Sequence, residues 1–265
     1  MNDLVEEVIS KGITRKNNWL SEEDQIKISG IIQTLKPEKN DTLNSTYVVS
    51  FRSLVTKLLR LKFTNIIRSF YFYNLSKKLK LKDIARKIFN SDCKLVRIDT
   101  YYNLKSDDPV IQWHVDNAYS GRENVKVFNK PDNNAIKFFF YLTDAFSDNG
   151  CLSYIPCSHK IAYAIKKGIY DNKIQYQPYW KLSDFRNIIL KESNYSYLKS
   201  VVDEKKLIDF LDQSKLIIEK KINDQTFDYE MKKGGAVIFN EAGMHRGSKT
   251  KYSERMVCRF FYKKI

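Results

Sequence analysis

Val110-Ile111-Gln112-Trp113-His114 reads as a strand, and Val115-Asp116 continue it. Side chains on an extended segment alternate with period two, so His114 and Asp116 project to the same side. One imidazole and one carboxylate placed this way can grip one metal ion from adjacent directions, and a third ligand must come from elsewhere. The chain holds only three histidines, His114, His159 and His245. His245 follows shortly after the strand-like run Ala236-Val237-Ile238-Phe239 and leads into Arg246-Gly247. Alone, a His-x-Asp pair is more often structural than a ligand set. Its order relative to His245, and the strands around both, raise the metal reading.

Two neutral imidazoles and one carboxylate on one face of an octahedral ion leave three positions free, the arrangement that suits ferrous oxygenase chemistry. Two positions can take a bidentate 2-oxo acid and the third can take O2. Zinc also accepts two histidines and an acid, so the residues alone leave the metal open. A 2-oxo acid with a second carboxylate needs a cationic anchor. Arg255 lies ten residues after His245 at the start of a strand-like run. Its guanidinium can hold a carboxylate through two parallel hydrogen bonds, which lysine cannot do.

Further strands are read at residues 95–102, at 135–143, where the run is aromatic and free of Gly and Pro, and at 152–155 after an Asn149-Gly150 turn. The spans 226–232, 236–239 and 255–262 complete the set, with a Gly234-Gly235 turn between the first two. Helices are read elsewhere. Ser21 caps one that runs through Ile28, Ile31, Ile32 and Leu35 and stops at Pro37. Residues 50–70 carry apolar side chains at mostly helical spacing, with Arg52, Lys57, Arg60, Lys62 and Arg68 on the other side. Another helix covers 81–89, and 161–222 is partly helical, with Leu207, Ile208, Leu211, Leu216 and Ile217 on one face. This order predicts a mainly β core with helical decoration rather than a parallel α/β sheet. The expected division is a helical region, 1–93, packed on a core of 94–265 that carries an insertion at 161–230.

Lys and Arg number 46 against 31 Asp and Glu, a net charge of +15 in 265 residues. Such an excess suits an anionic partner: nucleic acid, a membrane surface, or an acidic or phosphorylated small molecule. A lysine-rich solvated surface is the plain alternative. No acidic residue occurs between positions 42 and 82. The acidic N-terminus, Met1-Asn2-Asp3-Leu4-Val5-Glu6-Glu7, lacks a signal-like apolar run, and no stretch has the apolar length of a membrane span. Cys93, Cys151, Cys157 and Cys258 form no Cys-x-x-Cys pair. Reduced buried thiols and a cytoplasmic location are expected.

From about residue 95 to 262 the chain resembles the phytanoyl-CoA dioxygenase family of iron(II)/2-oxoglutarate oxygenases. The resemblance is carried by Trp113-His114-Val115-Asp116, by residues 142–144, by Asn149-Gly150-Cys151-Leu152-Ser153-Tyr154-Ile155-Pro156-Cys157-Ser158-His159, by 234–239, and by His245 through Arg255. Cys157 stands where the family usually has Gly. The resemblance implies a double-stranded β-helix (jelly roll) with iron at one mouth, held by His114, Asp116 and His245. It implies that Arg255 holds 2-oxoglutarate, with Asn103 and Ser248 helping to position it, O2 as the other cosubstrate, ascorbate as an optional component, and His159 outside the metal shell. With Asp116 present, hydroxylation is favoured over halogenation. Tyr119, Arg122 and Lys137 are the candidates for substrate contact, with Lys137 facing either pocket or solvent. The expected substrate is a small, anionic or carrier-linked metabolite, and membrane-surface contact stays open. A nucleic-acid demethylase of the same chemistry is less favoured, since Arg259 follows Arg255 by four residues rather than six. A non-catalytic binding module on this fold is the third reading.

Overall fold

Ten strands form two antiparallel sheets in the computed structural model, which describes residues 2–38, 46–50, 63–116, 118, 124–221 and 224–265. They are β1 (Ile13–Lys16), β2 (Thr46–Ser50), β3 (Cys93–Asn103), β4 (Ser106–His114), β5 (Ala135–Tyr141), β6 (Leu152–Tyr154), β7 (Asp228–Tyr229), β8 (Ala236–Asn240), β9 (His245–Thr250) and β10 (Arg255–Lys264). The larger sheet runs β1-β8-β5-β10-β3-β2 and the smaller β4-β9-β6-β7. This is the jelly-roll arrangement expected of the chain, mainly β with helical decoration.

β5 shows why the aromatic run is so dense. All seven of its residues are buried, because both faces of the larger sheet are covered. Ile136, Phe138 and Phe140 pack with Ile98, Phe260, Ile28, Phe72 and Ile84 beneath the N-terminal helices. The odd positions, Lys137, Phe139 and Tyr141, face the smaller sheet and the space between the two. β10 follows the same rule: Cys258, Phe260 and Tyr262 lie on the helical side, while Arg255, Arg259 and Phe261 line the interior.

The helix Glu22–Gln33 starts where expected, with the Ser21 side chain accepting from the Asp24 backbone N–H, and the helix Leu81–Phe89 matches its reading. The insertion folds as Ser158–Tyr170, Leu182–Leu190, Glu192–Val201 and Glu204–Ile218. These helices bury Ile165, Phe185, Ile188 and Phe210 with Trp113, Val115 and Met244. On Glu204–Ile218 the inward stripe is Leu207, Phe210, Ser214 and Ile217, whereas Ile208 and Leu216 are exposed, which corrects the face read from sequence.

Periodicity gives no strand in the N-terminal region, yet the structure places β1 against β8 and β2 against β3 there. The helix Asn2–Lys11 and strand β9 are likewise additions, and the strand expected at 226–232 is a 3-10 turn, Asp224–Phe227, followed by the two-residue β7. The basic stripe read over residues 50–70 falls mostly on 51–62, outside the described residues. Among the described residues no helix is long and apolar enough to cross a membrane.

Candidate metal centre and its cavity

β4 and β9 pair so that His114 and His245 sit directly across from each other, their ring centroids 4.3 Å apart. Past His114 the chain leaves the ladder. The Val115 N–H donates to Trp180 O from the insertion, and the Asp116 N–H donates to Glu241 O. These two bonds turn the Asp116 carboxylate back onto the imidazoles. His114 Nε2 lies 3.6 Å from Asp116 Oδ1, and His245 Nε2 lies 3.2 Å from Asp116 Oδ2. Cis ligands of one octahedral ion with bonds of about 2.1 Å are about 3 Å apart, and the two imidazole nitrogens and one carboxylate oxygen, all within 4.8 Å of one another, are close to a common coordination sphere. Among the described residues they are the group of His, Cys, Asp and Glu side chains whose spacing suits a metal ion.

The backbone sets the tautomers. His114 Nδ1 is 2.7 Å from Gln112 O, and His245 Nδ1 is 2.8 Å from Gly243 O. A carbonyl can only accept, so each Nδ1 carries the proton and each Nε2 presents a lone pair inward. Burial, reinforced by the neighbouring His114 ring, pushes the His245 pKa down to about 4, so this imidazole is in its neutral, ligating form at pH 7. Burial opposes ionisation of Asp116. The Lys137 ammonium beside it outweighs burial and holds the carboxyl well below its ordinary range.

Lys137 faces the interior. It is buried, ion-paired with Asp116 Oδ2 and 3.5 Å from Glu241 Oε2. Glu241 is a site residue that sequence reasoning missed. Its signal was an acid just past the apolar strand β8, four positions before His245.

The triad opens into a cavity of about 1060 Å³ that also reaches Asn103, Arg255 and Arg259. Buried Arg255 donates from Nε and Nη2 to Asn103 Oδ1 at 3.0 and 2.8 Å, and from Nη1 to Gly150 O at 3.0 Å. A guanidinium has five N–H groups, so two remain, one on each terminal nitrogen. That pair matches a carboxylate. Asn103 Nδ2 is also buried with no hydrogen-bond partner, a further donor awaiting an acceptor. Gly150 has φ +81°, and a Cβ there would lie 2.5 Å from Arg255 Cδ, so the Asn149-Gly150 turn is tied to the arginine's position. The residues therefore fit both a divalent ion with nitrogen and oxygen ligands and an anionic acid beside it.

Ser248 does not line this cavity. On β9 it has opposite parity to His245 and Gly247, which do, and its Oγ lies 3.4 Å from Cys151 Sγ. Tyr119 and Arg122 lie outside the described residues. His159 is remote from the metal cluster; its Nε2 is 3.3 Å from Ile9 O, and burial pushes its pKa down to about 4. Cys157, in the usual glycine position, adopts the left-handed backbone with φ +65°.

The model of the family described as phytanoyl-CoA dioxygenase (PhyH) matches residues 60–256. The chain belongs to this family. PhyH-family membership agrees with the strand–turn–strand block read from sequence. A comparison with curated proteins gives no match. Among solved structures, HygX from Streptomyces hygroscopicus with nickel and 2-oxoglutarate bound is 12% identical, with 100% of this chain and 87% of that one covered and a TM-score of 0.57. EctD from S. alaskensis in its apoform is 12% identical, with 100% and 77% covered and a TM-score of 0.56. The epimerase SnoN in complex with Fe3+, alpha ketoglutarate and nogalamycin RO is 10% identical, with 99% and 83% covered and a TM-score of 0.54. At such identities the likeness is one of fold.

Proposed function

We propose that this PhyH-family chain is an iron(II)- and 2-oxoglutarate-dependent oxygenase that hydroxylates a C–H bond of a small anionic metabolite. The observation that carries the reading is the convergence of His114 Nε2, His245 Nε2 and the Asp116 carboxylate at one point of a cavity, with both Nδ1 protons locked on backbone carbonyls. Bound there, iron(II) supplies O2 activation coupled to conversion of 2-oxoglutarate into succinate and CO2, with the second oxygen atom going to the substrate.

The chain's own residues divide the remaining work. His114, Asp116 and His245 would hold the iron(II), with their three ligand atoms close together at one end of the cavity. Arg255 grips the far carboxylate of 2-oxoglutarate through its two remaining N–H groups, and Asn103 Nδ2 supplies a further donor. Lys137 and Glu241 balance charge around Asp116. Phe139, Phe239 and Phe261 give the cavity apolar walls that exclude water from the reacting carbon.

The test is a substrate-library screen of purified chain with iron(II), ascorbate and 2-oxoglutarate. The expected result is a product heavier by one oxygen atom, formed with one equivalent of succinate, and lost in Asp116→Ala. A product two hydrogens lighter than its substrate would replace hydroxylation by desaturation or ring closure at the same centre. No metal-dependent succinate under any condition would overturn the reading.

A further inference from the structure

The cavity that holds the triad is cationic well beyond what 2-oxoglutarate needs. Its described lining has eight Lys and Arg side chains against three Asp and Glu. They are not evenly spread. Arg255 and Asn103 mark one end of the interior face. At the other end, β10 and β3 bring Lys263 opposite Lys94 and Phe261 opposite Arg97, and Lys130 completes the rim. Eight residues separate Arg255 from Lys263 on one strand, about 27 Å at the usual rise. A five-carbon diacid gripped at Arg255 is far too short to reach Lys263, so the two cationic ends serve different anions.

The second end is built against its own stability. Like charges directly opposite on adjacent strands destabilise a sheet. Lys94 and Lys263 nevertheless face one another, and Lys263 Nζ donates to a neutral acceptor, Asn133 Oδ1, at 3.0 Å. Lys94, Lys130 and Lys264 have no acidic partner among the described residues. Asp99 is fully buried and already shared by Arg97 and Arg259. Asp132 lies at this rim, and Glu241, deeper in the cavity, also feels Lys263 but is already beside Lys137. Such an arrangement favours an incoming ligand with more than one negative charge and several acceptor oxygens. One guanidinium suffices for a carboxylate, whereas several ammonium groups around one point suit a phosphate. Between this rim and the triad, Phe261 lies beside Lys137 in the β10–β5 ladder and offers an aromatic face on which the carbon part of a ligand can rest.

We infer that the prime substrate is a phosphate ester whose phosphate docks among Lys94, Arg97 and Lys263, with its carbon skeleton laid over Phe261 toward His114, Asp116 and His245. This rests on the oxygenase reading above and gives it a substrate class.

The experiment titrates inorganic phosphate, phenyl phosphate and phenol by calorimetry into chain loaded with nickel(II) in place of iron and with 2-oxoglutarate, and repeats the series on metal-free chain. Phenyl phosphate is expected to bind at least tenfold more tightly than phenol. The Lys94→Gln/Lys263→Gln pair should weaken that binding at least tenfold, with the 2-oxoglutarate affinity as in the wild type and the thermal midpoint no lower, since the variant removes a like-charge pair from the β3–β10 ladder. A Lys205→Gln/Lys215→Gln control on the distant Glu204–Ile218 helix should leave phenyl phosphate binding unchanged. Equal affinity for phenol and phenyl phosphate, or phosphate binding untouched by the Lys94/Lys263 pair, would overturn the inference. Failure here with normal metal and 2-oxoglutarate binding leaves the oxygenase reading standing. Failure of nickel to bind at His114, Asp116 and His245 would instead sink that reading, whatever the phosphate result.

Discussion

Replacing Arg255 tests the cosubstrate end of the cavity most directly. Three of its five N–H groups are spent on Asn103 Oδ1 and Gly150 O, and the two left over form the edge assigned to the far carboxylate of 2-oxoglutarate. Removing one partner of a buried, hydrogen-bonded charge pair costs about 2–5 kcal/mol. At about 1.4 kcal/mol per factor of ten, Arg255→Ala should weaken 2-oxoglutarate binding by roughly 30-fold to several thousand-fold. Arg255→Lys keeps the charge but loses the planar fork, and should fall between wild type and Ala. Both variants also lose structural bonds, so the thermal midpoint must be read beside the affinity. The assay is calorimetric titration of 2-oxoglutarate into nickel(II)-loaded chain, with metal affinity measured separately and expected to stay near the wild-type value. Asn103→Leu removes the spare Nδ2 donor and the acceptor that orients Arg255, and should cost about 1 kcal/mol or more. A folded Arg255→Ala variant that binds 2-oxoglutarate within twofold of wild type would refute the assignment, and Arg259 would be examined next, since it lines the same cavity.

His114→Ala, Asp116→Ala and His245→Ala should each abolish stoichiometric metal binding while circular dichroism stays native, because the jelly roll is held by its own packed cores; His159→Ala should keep the metal. Lys137→Met leaves Asp116 and Glu241 facing each other without their shared ammonium, so the metal-free chain should lose on the order of 3–5 kcal/mol in denaturant titration, with part of the loss restored by saturating nickel(II). His245 and His159 both have folded pKa values of about 4 against an ordinary 6.5. The unfolded chain therefore binds more protons in that interval, and stability of the metal-free chain should be complete above pH 6.5 and fall as pH drops toward 4. The slope should approach about 1.4 kcal/mol per pH unit for each histidine and shrink in His159→Gln. A thermal midpoint that is flat from pH 6.5 to 4 would count against burial of both rings in the neutral form.

Residues that act through local geometry were legible in the sequence, and those that act through register were not. His114 and Asp116 could be paired from their spacing of two, although the strand ends at His114 and backbone bonds to Trp180 O and Glu241 O aim the carboxylate, and Arg255 could be singled out from its position at the head of a strand-like run. Lys137 could not, because every residue of β5 is buried and alternation within Ala135–Tyr141 carries no hydrophobic contrast. Only the pairing of Lys137 with Phe239 on β8 and Phe261 on β10 turns it inward. β9 was unreadable for the opposite reason. His245-Arg246-Gly247-Ser248-Lys249-Thr250 has no apolar residue, yet five of its six positions are buried, their polar groups satisfied by partners such as Ser153 and Leu104 far away in the chain. β1 and β2 are four and five residues long, too short to show a period, and gain their identity from β8 and β3. The same limit hid the cationic rim. Lys94 and Lys263 are 169 positions apart and look like two solvated lysines until the β3–β10 register sets them face to face. Net charge read along the chain pointed to the N-terminal basic stretch. Net charge read across the ladder points instead to the cavity, where the wall itself supplies the repulsion that an anionic substrate would relieve.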